Sequence, residues 1–271
     1  MISPHQQDDM LALYDREMRA AAPMPGPAYR RERTNRVVRL VGPSAAAFDN
    51  CVLFSRLDDA TADAAIRREI DHFGSRGRSF EWKLHDHDEP EDLPARLRRH
   101  GFMPEPRETV VVRQLSDIPP RGSTSAADVR KVDRPEQLAD LVAVQNEAWK
   151  ENHVALAEAL AAELASDPTR IEILIAYDGP RPVATSWLRL HRGTSFASCW
   201  GAAVLPAWRG RGIYTALVER HASTARAGGA RLLLADANAD SLPVLERIGF
   251  RALIGVQGYV WRPAGSTGTP L

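Results

Sequence analysis

Residues 204–217 read Val204-Leu205-Pro206-Ala207-Trp208-Arg209-Gly210-Arg211-Gly212-Ile213-Tyr214-Thr215-Ala216-Leu217. An apolar run, Ala202-Ala203-Val204, reaches a proline, a basic turn flanked by glycines follows, and an amphipathic helix opens behind it. Gly210 and Gly212 let the backbone turn tightly and approach a ligand without a Cβ in the way. A helix N-terminus presents N–H groups and the positive end of a dipole, which suits a phosphate or pyrophosphate. Arg209 and Arg211 add formal charge of the same sign at that point.

A dinucleotide-binding turn needs G-x-G-x-x-G entered directly from a strand, with an acid about 20 residues further on. Gly210 and Gly212 fit, and Asp236 ends the next apolar run, Arg231-Leu232-Leu233-Leu234-Ala235-Asp236. Thr215 stands where the third glycine belongs, and Pro206-Ala207-Trp208 separates the strand from the turn. A turn with no ligand is the other alternative.

Arg209-x-x-Gly212-x-Tyr214 after Val204-x-Pro206 resembles the pyrophosphate loop, [QR]-x-x-G-x-[GA], of the GNAT superfamily of acyl-CoA N-acyltransferases. One βα unit later, the stretch from Asn238-Ala239-Asp240-Ser241-Leu242 through Leu245 to Gly249-Phe250 is similar to that family's N-x-x-A-x-x-L-Y-x-K-x-G-F. The resemblance implies an α/β (mixed α+β) fold and acetyl-CoA as co-substrate. It implies cofactor contacts from Val204, Arg209, Gly210, Arg211, Gly212, Ile213, Tyr214 and Asn238. The pantetheine arm would lie in a splayed gap between strands 198–204 and 231–236. Two positions depart from the pattern: Tyr214 replaces a small residue, and Leu245 stands where many members carry the tyrosine that protonates the leaving thiolate.

Composition narrows the function classes. The chain has 271 residues, 44% apolar and 26% charged, as in ordinary globular proteins. Lys+Arg and Asp+Glu each number 35, so no basic field points to nucleic acid or a membrane surface. Cys51 and Cys199 are far apart, which argues against a disulfide framework and fits a reducing cytosol. Residues 1–25 mix charges and prolines, so no signal peptide is expected. No apolar run approaches the roughly 18–20 residues of a membrane span. A cytoplasmic location is expected.

Pro119-Pro120-Arg121-Gly122-Ser123-Thr124-Ser125 cannot continue a helix or strand and reads as a linker. The expected division is a degenerate GNAT-like domain at 1–118, a linker at 119–126, a GNAT acetyltransferase domain at 127–262, and a disordered tail at 263–271. Each domain is expected to hold a central mixed sheet flanked by helices. Both halves end in strand, helix, Gly-Phe and a β-rich run, with Gly101-Phe102 and Gly249-Phe250 offset by 148 residues. Each glycine is expected at a helix C′ position, and each phenylalanine as the first core residue beyond it. The corresponding turn of the first half, Asp58-Asp59-Ala60-Thr61, lacks glycine and carries two carboxylates, so it should repel a pyrophosphate. Further on, Asp133-x-Pro135-Glu136 reads as a capped helix start, with Leu138, Leu141, Val142 and Trp149 at helical spacing.

Acyl transfer to an amine needs a held thioester, an uncharged amine and donors for the developing oxyanion. Strand residues 195–201 carry no carboxylate to act as base; Glu147 or His153 could take the amine's proton through water, or each could be a solvated helix residue. Ser241 could donate to the leaving sulfur, or cap its helix; Asn238 could face the pantetheine, or cap. Cys199 admits an acyl-cysteine reading but lacks a neighbouring His or acid motif, as packed cysteines do. His85-Asp86-His87-Asp88 suggests metal chemistry at first sight, but no third ligand cluster accompanies it, and no metal is expected. The expected activity is transfer of acetyl from acetyl-CoA to a primary amine of a small molecule in a ternary complex. The alternative is a CoA-binding regulatory module with little or no turnover.

Overall fold

The computed structural model describes residues 4–115 and 127–265. The expected linker at 119–126 and the tail beyond 265 lie outside them. In chain order the elements begin with α1 (Pro4–Tyr14), a π-helical turn (Asp15–Ala20), β1 (Arg30–Arg33), β2 (Val37–Val41) and β3 (Asn50–Ser55). They continue with α2 (Ala62–Gly74), β4 (Phe80–His85), α3 (Leu93–Arg99), β5 (Met103–Gln114) and β6 (Asp128–Lys131). Then come α4 (Leu138–Trp149), α5 (Val154–Ser166), β7 (Ile171–Asp178), β8 (Arg181–Leu190) and β9 (Phe196–Val204). The last are α6 (Ile213–Ala227), β10 (Leu232–Ala237), α7 (Leu242–Arg247) and β11 (Arg251–Trp261).

The chain forms two compact units, and neither is contiguous in sequence. One takes the residues up to Val110, Ala237–Asp240 and the segment from Ala252; the other takes Val111–Asp236 and Ser241–Arg251. Within the first, β1, β2 and β3 pair antiparallel, β3 and β4 pair parallel, and β11 pairs antiparallel to β4. All five residues of β2 are buried, as in a strand covered on both faces. In α2 the buried residues Ala62, Ala65, Ile66, Glu69 and Phe73 follow a helical period, and they line one face. Ile66 and Phe73 pack with Val52, Phe80, Trp82, Leu97, Phe102 and Tyr259.

The second unit repeats the pairing order. Strands β6 to β9 pair antiparallel in sequence, and β9 pairs parallel with β10. Along β7 the side chains alternate between two cores, following the strand period of two. Ile171, Ile173 and Ile175 pack with Leu138 and Leu141 of α4 and Leu160 and Leu164 of α5. Leu174 and Ala176 pack with Ile213 and Leu217 of α6. Each unit therefore holds mixed strand pairing with helices packed against it, in keeping with the α/β (mixed α+β) class that the resemblance implied.

The Gly-Phe repeat is a repeat of hydrogen bonds. Phe102 N–H donates to the Leu97 carbonyl at 3.1 Å and Phe250 N–H to the Leu245 carbonyl at 3.0 Å. Gly101 and Gly249 take positive φ values of 86° and 95°. This left-handed closure of a helix C-terminus favours glycine.

Two local expectations are corrected. The helix start near 133 is not closed by Glu136; the Gln137 side chain accepts from the N–H groups of Asp133 and Arg134, both at 3.0 Å. A single 3-10 turn at Pro135–Gln137 moves the capping position by one residue. Trp149 ends α4 with 51% exposure and is not core, whereas Val144 and Gln145 are buried.

Candidate functional site

The parallel ladder between β9 and β10 is three residues long, from Phe196↔Leu232 to Ser198↔Leu234. Beyond that rung the two strands have no ladder bonds to each other, in the stretch where the resemblance implies a splayed gap. The other edge of β9 supplies the cause. Thr185 of β8 pairs with Ala203 and Trp187 with Trp200, so Ser186 faces both Gly201 and Ala202. One extra residue bends a strand and raises its local twist. Gly201 adopts φ +54°, and a Cβ there would overlap the Trp187 ring. The buried Gln145 amide donates to the Gly201 carbonyl at 2.7 Å and to the Thr185 hydroxyl at 2.8 Å, tying α4 to the bulge.

Downstream, Pro206–Trp208 forms one 3-10 turn, Arg209 is extended, and Gly210 and Gly212 both take φ +74°. Gly212 immediately precedes α6, and its carbonyl accepts the Ala216 N–H at 3.0 Å. The N–H groups of the first helical turn have no intrahelical acceptor. A Cβ at Gly210 would meet nothing within 4 Å, so the turn's outer face is open. Arg209 and Arg211 are exposed, and Arg209 Nε donates to the Val204 carbonyl at 3.1 Å. Trp208 donates to Asp178 and carries the Arg181 guanidinium 4.6 Å above its ring. Ile213 is buried; Tyr214 is half-buried, and burial raises the pKa of its phenol.

The proton-handling candidates are dispersed. Glu147 is exposed on α4 and ion-paired with Arg181 at 3.1 Å. His153 precedes α5, with Nδ1 3.2 Å from the Asn146 amide oxygen. Ser241 precedes α7 without a side-chain capping bond. Asn238 follows β10, and its amide oxygen accepts the Asp240 N–H at 3.1 Å. Leu245 is 1% exposed. Burial and the Glu172 carboxylate push the Cys199 thiol up to about 12, so it stays protonated and a poor nucleophile near neutral pH. The side chains of the His85–Asp88 run are engaged by protein partners: Tyr14 bonds His85, Asp15 and Arg19 bond His87, Arg19 bonds Asp88, and Arg107 bonds Asp86. Among the described residues, no group of three or more His, Cys, Asp or Glu is placed to hold a metal ion.

One polar cluster escaped the sequence reading. Ser198, at the last rung, accepts the Trp200 indole N–H at 2.6 Å and lies 2.7 Å from His191 Nε2. Arg189 lies over Trp200 and pairs with Glu163 of α5 at 2.6 Å. Burial, with Arg189 and Arg170 nearby, pushes His191 down to about 3, so its ring is neutral near pH 7. The only available signal was Ser198 and Trp200 two apart on one strand; their partners come from other elements.

The first unit holds a parallel step of the same kind. Its β3–β4 ladder has two rungs, Cys51↔Glu81 and Val52↔Trp82, and β3 then bulges at Leu53. Here the guanidinium of Arg19, 2% exposed, reaches in from the π-helical turn. It donates to the Leu53 carbonyl at 3.1 Å and to both Asp88 oxygens at 2.6 and 2.7 Å. At the acidic turn, Asp58 accepts the Thr61 N–H at 2.9 Å and hydroxyl at 2.6 Å. Arg96 holds Asp59, Asp63 and Asp92. The Leu53 carbonyl and the carboxylates of the acidic turn are thus met by the unit's own groups.

Residues 137–250 match the Acetyltransferase (GNAT) family. No curated protein matches the chain. Among solved structures, a GCN5-related N-acetyltransferase from Kribbella flavida is similar, with a TM-score of 0.66 and 16% identity over 97% of this chain and 96% of its own. A tandem GNAT protein from the clavulanic acid biosynthesis pathway has a TM-score of 0.64 and 13% identity, over 96% and 95%. A conserved protein of unknown function from Staphylococcus epidermidis has a TM-score of 0.65 and 13% identity, over 87% and 94%. These likenesses are of fold, across nearly the whole chain.

Proposed function

We propose, from the match of residues 137–250 to the Acetyltransferase (GNAT) family, that the chain transfers acetyl from acetyl-CoA to a primary amine of a small molecule in a ternary complex. The observation carrying this reading is the juxtaposition, in one unit, of the parted β9 and β10 with the glycine-basic turn that opens α6. Acetyl-CoA supplies an activated acyl group and an anionic pyrophosphate. The residues present suit it. The positive-φ glycines, the first N–H groups of α6 and the exposed Arg209 and Arg211 form a cationic turn with an open outer face, and the unladdered edge of β9 offers backbone groups to an amide-bearing arm. Val204, Ile213, Tyr214 and Asn238 complete the proposed cofactor contacts. Glu147 is proposed to take the amine's proton through water after leaving Arg181, and Ser241 to protonate the sulfur. The first unit is proposed to bind no cofactor.

A second reading, a CoA-binding module with little turnover, draws on Leu245, whose buried alkyl side chain stands at the acid's position. One experiment separates the two: thiol release from acetyl-CoA by the full chain, with and without a panel of primary amines. Amine-dependent release supports the transferase; binding without release under every amine supports the module.

A further inference from the structure

Helix α6 carries the proposed pyrophosphate turn at its N-terminus, and two turns further on it is held by a polar chain that is buried except at its half-buried Thr224 end. His221, 0% exposed, lies with Nε2 2.7 Å from Ser186 Oγ on β8 and Nδ1 2.8 Å from Glu172 Oε2 on β7. Thr224, three residues along, donates its hydroxyl to Glu172 Oε1 at 2.7 Å. Burial raises the Glu172 pKa, but the hydrogen bonds from His221 and Thr224 outweigh that and leave it lowered, so the carboxylate is ionised near neutral pH. A third tie lies elsewhere on α6: Glu219 receives Arg113 at 2.9 and 3.2 Å.

Ser–His–Glu order is that of a hydrolytic triad, but Ser186 is 1% and Glu172 4% exposed, so no substrate reaches the hydroxyl. Its geometry suits a mechanical role. The apolar contacts of α6, from Ile213, Leu217, Val218, Ala222 and Ala225, are non-directional and tolerate small shifts along or about the helix axis. Hydrogen bonds of fixed length and direction do not.

We propose that His221 and Thr224, through Glu172 and Ser186, are positioning residues that fix the axial and rotational setting of α6, and so the aim of its first N–H groups at the cofactor's pyrophosphate. This inference rests on the acyl-CoA reading above. Calorimetry on the full chain tests it, with acetyl-CoA and with S-acetylpantetheine, which lacks the pyrophosphate. Thr224→Val keeps the shape and deletes the donor; it should weaken acetyl-CoA by about tenfold, the scale of one charge-assisted hydrogen bond, and leave S-acetylpantetheine unchanged. His221→Gln should do the same, and Thr224→Ser should restore wild-type affinity. Leu160→Ala, in the core on the α4–α5 side of the sheet, should lower Tm without changing either affinity. Wild-type acetyl-CoA affinity in a folded Thr224→Val chain would overturn the positioning role alone. Labelling of Ser186 by a serine-directed fluorophosphonate would also overturn it, by showing the chain of residues to be reactive. No acetyl-CoA binding by the wild-type chain would overturn the acyl-CoA reading and this inference with it.

Discussion

Ser198 and Leu234 form the last rung of the parallel ladder between β9 and β10, and every proposed cofactor contact lies C-terminal to one or the other. Upstream of that rung, β9 is an ordinary buried strand. Downstream, the Gly201 bulge bends it and the glycine-basic turn follows. The rung thus marks where β9 and β10 stop bonding to each other while β9 stays paired with β8, and the parted edge is where we propose that an amide-bearing ligand binds.

The full chain should bind one acetyl-CoA. In the first unit Arg19 already bonds the Leu53 carbonyl, and Asp58 and Asp59 sit at the start of α2. Calorimetry should return a stoichiometry near one, and a value near two would show that the first unit also binds.

Gly212→Asp should abolish that binding and leave the fold intact. The position already needs a positive φ, which aspartate tolerates better than most residues, but its carboxylate would face the pyrophosphate. Arg209→Ala should weaken binding by about 1.5–3 kcal/mol, the scale of a hydrogen bond to a charged group. Unchanged affinity in both variants would place the cofactor elsewhere.

Gly201→Ala should destabilise the second unit, because the new methyl must displace the Trp187 ring and take up a left-handed φ. Overpacking and backbone strain of this kind each cost about 1–3 kcal/mol. Urea titration measures it, and a wild-type midpoint would mean that the bulge repacks freely.

Leu245→Tyr places the family's phenol where a leucine is 1% exposed, so it should cost about 1–3 kcal/mol in stability by overpacking, whatever it does to turnover. Ser241→Ala is the cleaner probe of proton delivery. If Ser241 protonates the sulfur, turnover should fall at least about tenfold with cofactor affinity unchanged, since general acids contribute about 10²–10⁴-fold.

Stability should fall as pH drops through the histidine range. His191 titrates at about 3 in the folded chain against 6.5 for the free side chain, so between those values the unfolded chain binds a proton that the native chain does not. Its neutral ring therefore stabilises the fold above 6.5, and that contribution is lost progressively as pH falls toward 3. Each unit of difference is worth about 1.4 kcal/mol. Burial lowers His85 as well, with the same sign. Melting His191→Gln beside wild type at pH 7 and pH 5 should show a shallower loss in the variant; parallel losses would assign the effect to other groups.

Much of this was legible in the residue order because it is local. The glycines and proline around Arg209, the amphipathic period of α6 and the Gly-Phe closures at 101 and 249 each depend on neighbours within a turn or two. So did the acidic turn at 58–61, whose hydrogen bonds close within four residues. The bulge is different. Gly201 becomes a left-handed position only because Trp187 and Gln145, 14 and 56 residues away, occupy the space and the hydrogen-bonding geometry around it. Arg19 reaches Leu53 and Asp88 across 34 and 69 residues, and the Ser198–His191–Trp200 cluster and the Glu172–His221 chain likewise join separate elements. The chain's own residues specified the turn, its charge and the helix behind it. Tertiary structure decided which strands part, which side chains fill one parting and not the other, and how α6 is held, because a buried polar group takes whatever partner packing brings within reach, and sequence distance does not limit that choice.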